Sequence, residues 1–519
     1  MRQRVAPYLL LVLLAGFAFA PVRTSAQQSC ATLTSVVIPN ATITSATAIN
    51  PPPDLVLPLP PGPAGPGADL HVTVPFCRVE AFSAPTSDSH IRFEVWLPAA
   101  ATWNGKFEAV GNGGFIGQIG YGALATGLRR GYATAGTDTG HASGNDERWA
   151  LGHPEKLIDW AYRAVHEVTV DSKLIIAAYY GKGPTLSYWN GCSTGGKQGL
   201  TEAQRYPSDY DGIVAGAPAN YITHLQAGSE YVSWVSLKDG ISGPGYIPPS
   251  KYPALHQAVL DACDAKDGVA DGVIADPTRC HFAPKTIECQ GAEGPACLTS
   301  AQEKTAELLY AGARYTDGKQ IFPGMEPGSE LAWGPLAGGP APAAISTGFF
   351  ADMVFGDPNW DFRTFDVDRD TRTADQKIGS TVNAIDPDLK KFQAHGGKIV
   401  MYHGWSDQLI APGNSVNYYG SVVARMGGEE KTQEFLRLFM VPGMEHCQGG
   451  PGTNTFDALG ALEQWRENNI PPEKIIASHS TKGAVDTTRP LCPHPLAAIY
   501  KGTGDTHDAA NFTCGNPSW

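Results

Sequence analysis

The chain has 519 residues, 42% of them hydrophobic, with 59 Gly, 41 Pro and a formal net charge of −13. That length exceeds what one small core needs and predicts a large domain carrying a second domain or a big insertion. The acidic balance argues against nucleic acid or an anionic membrane surface as a partner.

Arg2 and Arg4, the apolar run Leu9 to Phe19 and the small residues Thr24-Ser25-Ala26 form a secretory leader over residues 1–26. Cleavage after Ala26 removes three arginines and no acid, so the mature chain is more acidic still. The leader predicts a secreted or periplasmic protein, and no later stretch is apolar enough to span a bilayer. All ten cysteines lie beyond the cleavage point, which predicts disulfides. No Cys-x-x-Cys occurs, so a zinc ribbon or thioredoxin-like site is not expected. Sequence alone leaves the pairing open. Nearest neighbours suggest Cys263–Cys280, Cys289–Cys297 and Cys492–Cys514, leaving Cys30, Cys77, Cys192 and Cys447.

Residues 51–67, rich in Pro and Gly, read as an irregular surface loop. Strands are expected at 90–97, 106–110 and 132–136, then a helix within 157–180 that ends at Gly181. A strand at 186–189 leads into a helix over 196–206, and 212–217 is another buried strand. The alternation breaks between 220 and 373, a loop-rich stretch with four cysteines. It resumes with strand 398–402, helix 414–426, strand 435–441 and helix 455–467. Strands alternating with helices predict an α/β fold with a mostly parallel sheet, formed by 27–219 and 374–519, with 220–373 inserted as a lid.

Gly191-Cys192-Ser193-Thr194-Gly195 carries the Gly-x-Ser-x-Gly pattern of a serine on a sharp strand-to-helix turn. A serine hydroxyl needs a base within hydrogen-bond reach and a carboxylate that orients the base. Asp407 follows strand 398–402 and His446 follows strand 435–441, so the three occur in the order Ser, Asp, His, each after a strand. Rivals are weaker. His403 lies too close to the acid, His141 precedes the nucleophile, Asp386 and Asp388 precede their strand, and Cys192 is not at the apex. Two backbone N–H groups should hold the oxyanion, from Thr194 and from the glycine-rich stretch Gly111-Asn112-Gly113-Gly114-Phe115, with Gly114 the candidate and Gly113 the alternate. Ser193 and His446 each have a cysteine beside them. A Cys192–Cys447 bond would hold the two Cα atoms about 5.5 Å apart.

Asp264, Asp267 and Asp271, with the carbonyls of Val269 and Val273, form an all-oxygen set suited to Ca²⁺, where Gly268 and Gly272 let the chain curl. The spacing is not that of an EF-hand. The expected ion is structural, and no organic cofactor is needed.

With these motifs and Asp211-Gly212-Ile213-Val214-Ala215-Gly216-Ala217-Pro218, the sequence resembles the tannase and feruloyl esterase family of α/β-hydrolases, which also contains a mono(2-hydroxyethyl) terephthalate hydrolase. The resemblance covers nearly all of the mature chain. It implies a triad of Ser193, Asp407 and His446, a Cys192–Cys447 disulfide, and five bridges in all. It implies a lid with structural calcium on Asp264, Asp267, Val269, Asp271 and Val273. Its substrates are small aromatic-acid esters: feruloyl and other hydroxycinnamoyl esters, galloyl esters, or terephthalate monoester. Trp333, Phe349, Phe350 and Phe355 are candidates to line the acyl pocket, set against the commoner reading that such aromatics form a small core within the insertion, and Ile410 is a candidate to touch the ring. The chain is expected to work as a monomer. A binding protein on an inactive hydrolase fold and a serine peptidase are the competing readings.

Overall fold

The computed structural model describes Met1 and residues 29–59, 68–144 and 146–518. Beyond Met1, the expected leader and its cleavage point lie outside the described residues. Among those residues a nine-stranded sheet runs through the chain: β1 (Ala41–Ile49), β2 (Phe76–Ser83), β3 (Ile91–Pro98), β4 (Lys106–Val110), β5 (Ala133–Thr137), β6 (Leu186–Cys192), β7 (Gly212–Gly216), β8 (Lys398–Gly404) and β9 (Leu436–Val441). Their spatial order is β1-β2-β3-β5-β4-β6-β7-β8-β9. The first three strands and the β3–β5 pairing are antiparallel, and every pairing from β5 to β9 is parallel. The fold class is therefore α/β with a mostly parallel sheet. Within the stretch expected to be an irregular loop, Leu55–Pro58 pairs with Asp69–Val72 as a short antiparallel ribbon.

The parallel strands are apolar on both faces because both are covered. In β6, Trp189 enters the core on one face and Tyr188 the core on the other. In β8, Ile399 and Met401 face the first core and Val400 the second. Helices α1 (Ala164–Tyr180) and α2 (Thr194–Arg205) follow β5 and β6. A single π-turn, Asp159–Arg163, precedes α1 and splits the helix expected across 157–180.

Strands β7 and β8 are neighbours in register, Gly212 opposite Lys398 and Gly216 opposite Tyr402. The chain between them leaves the sheet and returns to the adjacent position. That excursion contains α3 (Ile222–Leu237), α4 (Tyr252–Cys263) and α5 (Ser300–Ala311). Helix α3 is buried almost all round, and its buried residues include Thr223, His224, Gln226, Ser229, Glu230, Ser233 and Ser236. Several of these polar groups find partners inside: Glu230 accepts from Ser346 Oγ at 2.7 Å and from Thr347 Oγ1 at 3.1 Å, and Ser233 Oγ donates to Leu336 O at 3.1 Å. After β8, α6 (Gly413–Met426) and α7 (Ala458–Asn468) complete the layers.

The five disulfides are Cys30–Cys77, Cys192–Cys447, Cys263–Cys280, Cys289–Cys297 and Cys492–Cys514. The three nearest-neighbour pairs expected from the sequence are among them. Among the described residues, no helix is long and apolar enough to cross a membrane.

Candidate active site

Ser193 sits between the last residue of β6 and the first of α2, with φ 64° and ψ −126°. A non-glycine residue rarely adopts such a conformation, and it persists only where the surroundings enforce it. Here Ser193 N donates to Gly216 O at 3.0 Å, and Ser193 O accepts from Ala219 N at 3.1 Å. The backbone of the glycine-rich loop after β4 presses on the elbow. A Cβ on Gly111 would lie 2.4 Å from Gly195 Cα, and one on Gly196 would lie 2.3 Å from Gly216 O. Only glycine permits these approaches, which explains the glycines on both sides of the serine.

The three side chains expected to work together are brought together. Ser193 Oγ lies 2.9 Å from His446 Nε2, and His446 Nδ1 lies 2.7 Å from Asp407 Oδ2. A carboxylate only accepts, so Nδ1 carries the proton and Nε2 accepts from the serine. Asp407 is fully buried, three residues beyond the end of β8. Its Oδ1 accepts from Leu409 N and Ile410 N, each at 2.9 Å. Burial pushes this carboxyl upward, but the His446 charge and hydrogen bonds from His403 and His446 outweigh burial and hold it well below the usual carboxylate range. Burial pushes His446 downward, and the charge and hydrogen bond of Asp407 outweigh that, leaving it raised. The base thus accepts a proton more readily than a free imidazole.

The loops of acid and base are sewn to each other. Trp405 N donates to Val441 O at 2.8 Å and Ser406 N to Met444 O at 3.0 Å. The Cys192–Cys447 bridge joins the residues beside Ser193 and His446, with Cα atoms 6.0 Å apart. Cys192 therefore has no free thiol.

Thr194 Oγ1 donates to Gly114 O at 2.9 Å. This latch fastens the glycine-rich loop to the elbow, a contact with no signal in the sequence. Among the described residues, no protein acceptor takes the N–H of Thr194 or of Gly114. His141, a rival for the base, instead faces Phe115 O with Nε2 at 2.8 Å and stacks on Trp149. Burial pushes His141 down to about 4, so it supports this loop as a neutral donor. Asp388, a rival for the acid, pairs with Arg425 at the surface.

Trp333, Phe349 and Phe350 have no exposed side-chain surface, which corrects the expectation that they line the acyl pocket. Trp333 donates to Ser329 Oγ at 3.0 Å inside a core of its own with Tyr252 and Tyr310. Phe350 packs with Phe355, Trp360 and Phe365. Phe349 stacks on Phe115 of the glycine-rich loop, so these rings fill a core shared between the inserted stretch and that loop. Phe355 is half-buried, and Ile410 is buried in the cluster that also holds Phe115 and Phe349.

In the acidic loop, Gly268 and Gly272 have φ 91° and 79°, so the chain curls as expected. Asp264 accepts from Asp271 N and Gly272 N, Asp267 from Val269 N, and Asp271 from Val273 N and Arg489. Burial pushes Asp267 up to about 6, with Asp271 and Asp264 adding to it against the hydrogen bond from Val269 N. Crowded carboxylates of this kind fit a hard cation. The three do not gather within 4.8 Å of one another. Their oxygens accept from the backbone N–H groups of the loop and from Arg489. Far in sequence from His446, the loop is nonetheless adjacent to its segment. A Cβ on Gly443 would lie 3.0 Å from Val273 Cγ1, and Asp267, Asp271 and Val273 share a small cavity with Pro442, Pro451 and Thr453.

Residues 77–515 match the family described as tannase and feruloyl esterase. The chain belongs to this family. It is 39% identical to an uncharacterized esterase of Xanthomonas campestris over 94% of this chain and 92% of that one. It is 36% identical to a probable feruloyl esterase B-2 of Aspergillus terreus, over 85% of this chain and 86% of that one. Among solved structures it is similar to feruloyl esterase B from Aspergillus oryzae, with TM-score 0.86, 30% identity, and coverage of 94% of this chain and all of that one. This member of the tannase and feruloyl esterase family is a carboxylic ester hydrolase with the α/β-hydrolase fold.

Proposed function

We propose that the chain is a secreted serine esterase that cleaves esters of aromatic carboxylic acids, feruloyl or galloyl, through an acyl-enzyme. The observation that carries this reading is the continuous hydrogen-bonded line from Ser193 Oγ through His446 to buried Asp407, at 2.9 and 2.7 Å. His446 takes the hydroxyl proton as Ser193 Oγ attacks the ester carbonyl. Asp407 orients the ring and balances the imidazolium. The N–H groups of Thr194 and Gly114 receive the oxyanion. His446 then protonates the departing alcohol, and a water activated by the same nitrogen releases the acid. The aromatic acyl group is supported by the relatives named feruloyl esterase. Five disulfides fit an oxidising compartment.

A substrate panel tests the acyl preference. Methyl ferulate or methyl gallate is expected to exceed both terephthalate monoester and a peptide amide in kcat/KM. A preference for the monoester would replace the acyl group in this reading, and a preference for the amide would overturn it.

Asp264, Asp267 and Asp271, with the carbonyls of Val269 and Val273, would hold Ca²⁺ as a structural ion beside the His446 segment. An ion present at 100 times its Kd contributes about 2.7 kcal/mol. EGTA is therefore expected to lower Tm by several degrees, reversibly on adding Ca²⁺. An unchanged Tm counts against the site.

A further inference from the structure

We propose that His403 is a positioning residue, a second imidazole that holds the Asp407 carboxylate in the orientation that accepts from His446. This inference rests on the serine-esterase reading above. His403 lies in β8 and is fully buried. Its Nε2 is 3.0 Å from Asp407 Oδ2 and 2.9 Å from the Ile410 carbonyl oxygen. Neither oxygen can donate, so Nε2 carries a proton and forks between them. Its Nδ1 is 2.7 Å from Ser415 Oγ on α6, in hydrogen-bond contact. The orientation of the His403 ring is thereby set from the far side.

The consequence for Asp407 is a complete set of donors. Oδ1 takes Leu409 N and Ile410 N, and Oδ2 takes His446 Nδ1 and His403 Nε2. A carboxylate offers about four lone-pair sites, and here each meets an N–H. A fully buried carboxylate with a missing donor is costly and free to turn. His403 also pins the 407–410 turn through the Ile410 carbonyl, fixing the acid at both its side chain and its backbone. It is not placed to act as the base, because the acid and His446 stand between it and Ser193. The titratable groups facing Asp407 are His446 and His403, and Glu445 feels its charge.

The test compares His403→Phe, His403→Gln and Ser415→Ala on an aryl-acid methyl ester, with thermal unfolding measured in parallel. Removing the donor in His403→Phe is expected to lower kcat roughly ten- to a hundredfold with KM little changed, short of the about 10⁴ that loss of a triad carboxylate's function costs. Asp407, relieved of one donor, pulls harder on the His446 proton and raises the imidazolium's pKa. Because His446 must be neutral to act, the acid limb of kcat/KM then moves to higher pH. Glutamine places an amide N–H near the position of Nε2, so His403→Gln is expected to restore most of kcat and return the limb. His403→Phe with kcat within threefold of the parent, or Phe and Gln variants equally impaired with an unmoved limb, would overturn the proposal. Should His403→Phe not fold, Ser415→Ala decides: a shifted limb supports the role, and parental kcat with an unmoved limb overturns it. Turnover surviving in Ser193→Ala would instead sink the esterase reading itself, independently of His403.

Discussion

Ser193→Ala is expected to lower kcat on an aromatic ester by about 10⁶-fold, with substrate binding retained. The hydroxyl is the only atom of the elbow placed 2.9 Å from the base. Cys192, its neighbour, is locked in a bridge and offers no substitute nucleophile. Rate enhancement over water should survive at about 10³-fold, because the N–H groups of Thr194 and Gly114 still stabilise the oxyanion. The fold should be unaffected or slightly stabilised. The strained φ of 64° belongs to the turn rather than to the hydroxyl, and alanine has no more freedom there than serine. Circular dichroism and Tm at parental values, together with the loss of turnover, separate this outcome from simple misfolding.

Breaking the Cys192–Cys447 bridge should weaken catalysis more than its loss of stability alone would require. The bridge closes a loop with a sequence separation of 255 residues. The chain-entropy relation gives about 5.5 kcal/mol for such a loop, an upper value because Cys263–Cys280 and Cys289–Cys297 already shorten it. Four other bridges and the sheet hydrogen bonds remain. The double variant Cys192→Ala/Cys447→Ala should therefore fold with a lower Tm. Catalysis depends on a finer tolerance. A displacement of about 1 Å between reacting groups costs about a hundredfold, and the bridge is the covalent tie between the segments bearing nucleophile and base. The expected result at a temperature where the variant is fully folded is kcat down ten- to a hundredfold. Parental kcat in the folded variant would show that the loop hydrogen bonds from Trp405 and Ser406 suffice to hold His446 in place.

What the sequence disclosed follows the strength of local constraints. The elbow was legible because its glycines answer backbone clashes, Gly111 on Gly195 and Gly196 on Gly216, that no other residue would relieve. Asp407 and His446 were legible because each comes shortly after a strand of near-continuous apolar residues. The limits of the seven strands expected from sequence matched within three residues for the same reason, whereas β1 and β2 had no such expectation. Helix α3 was not legible, because its buried Thr, Ser, Gln and Glu side chains erase the apolar stripe that marks a helix. The aromatics of the inserted stretch could be read either way, since a large side chain looks alike in a pocket wall and in a core, and the core reading is the one the burial of Trp333, Phe349 and Phe350 supports. His403 read only as a rival base. Its contacts to Asp407, Ile410 and Ser415 join β8, the following turn and α6, and depend on three-dimensional packing rather than spacing. The nearness of the acidic loop to the His446 segment is likewise a product of the fold.

In the proposed reaction Ser193, activated by His446, is the nucleophile. Labelling with an aryl fluorophosphonate followed by peptide mapping tests it most directly. Activity should be lost in proportion to one phosphonyl group on Ser193, with no labelling in Ser193→Ala. Stoichiometric inactivation with the label on another residue, or full turnover by enzyme labelled completely at Ser193, would contradict it.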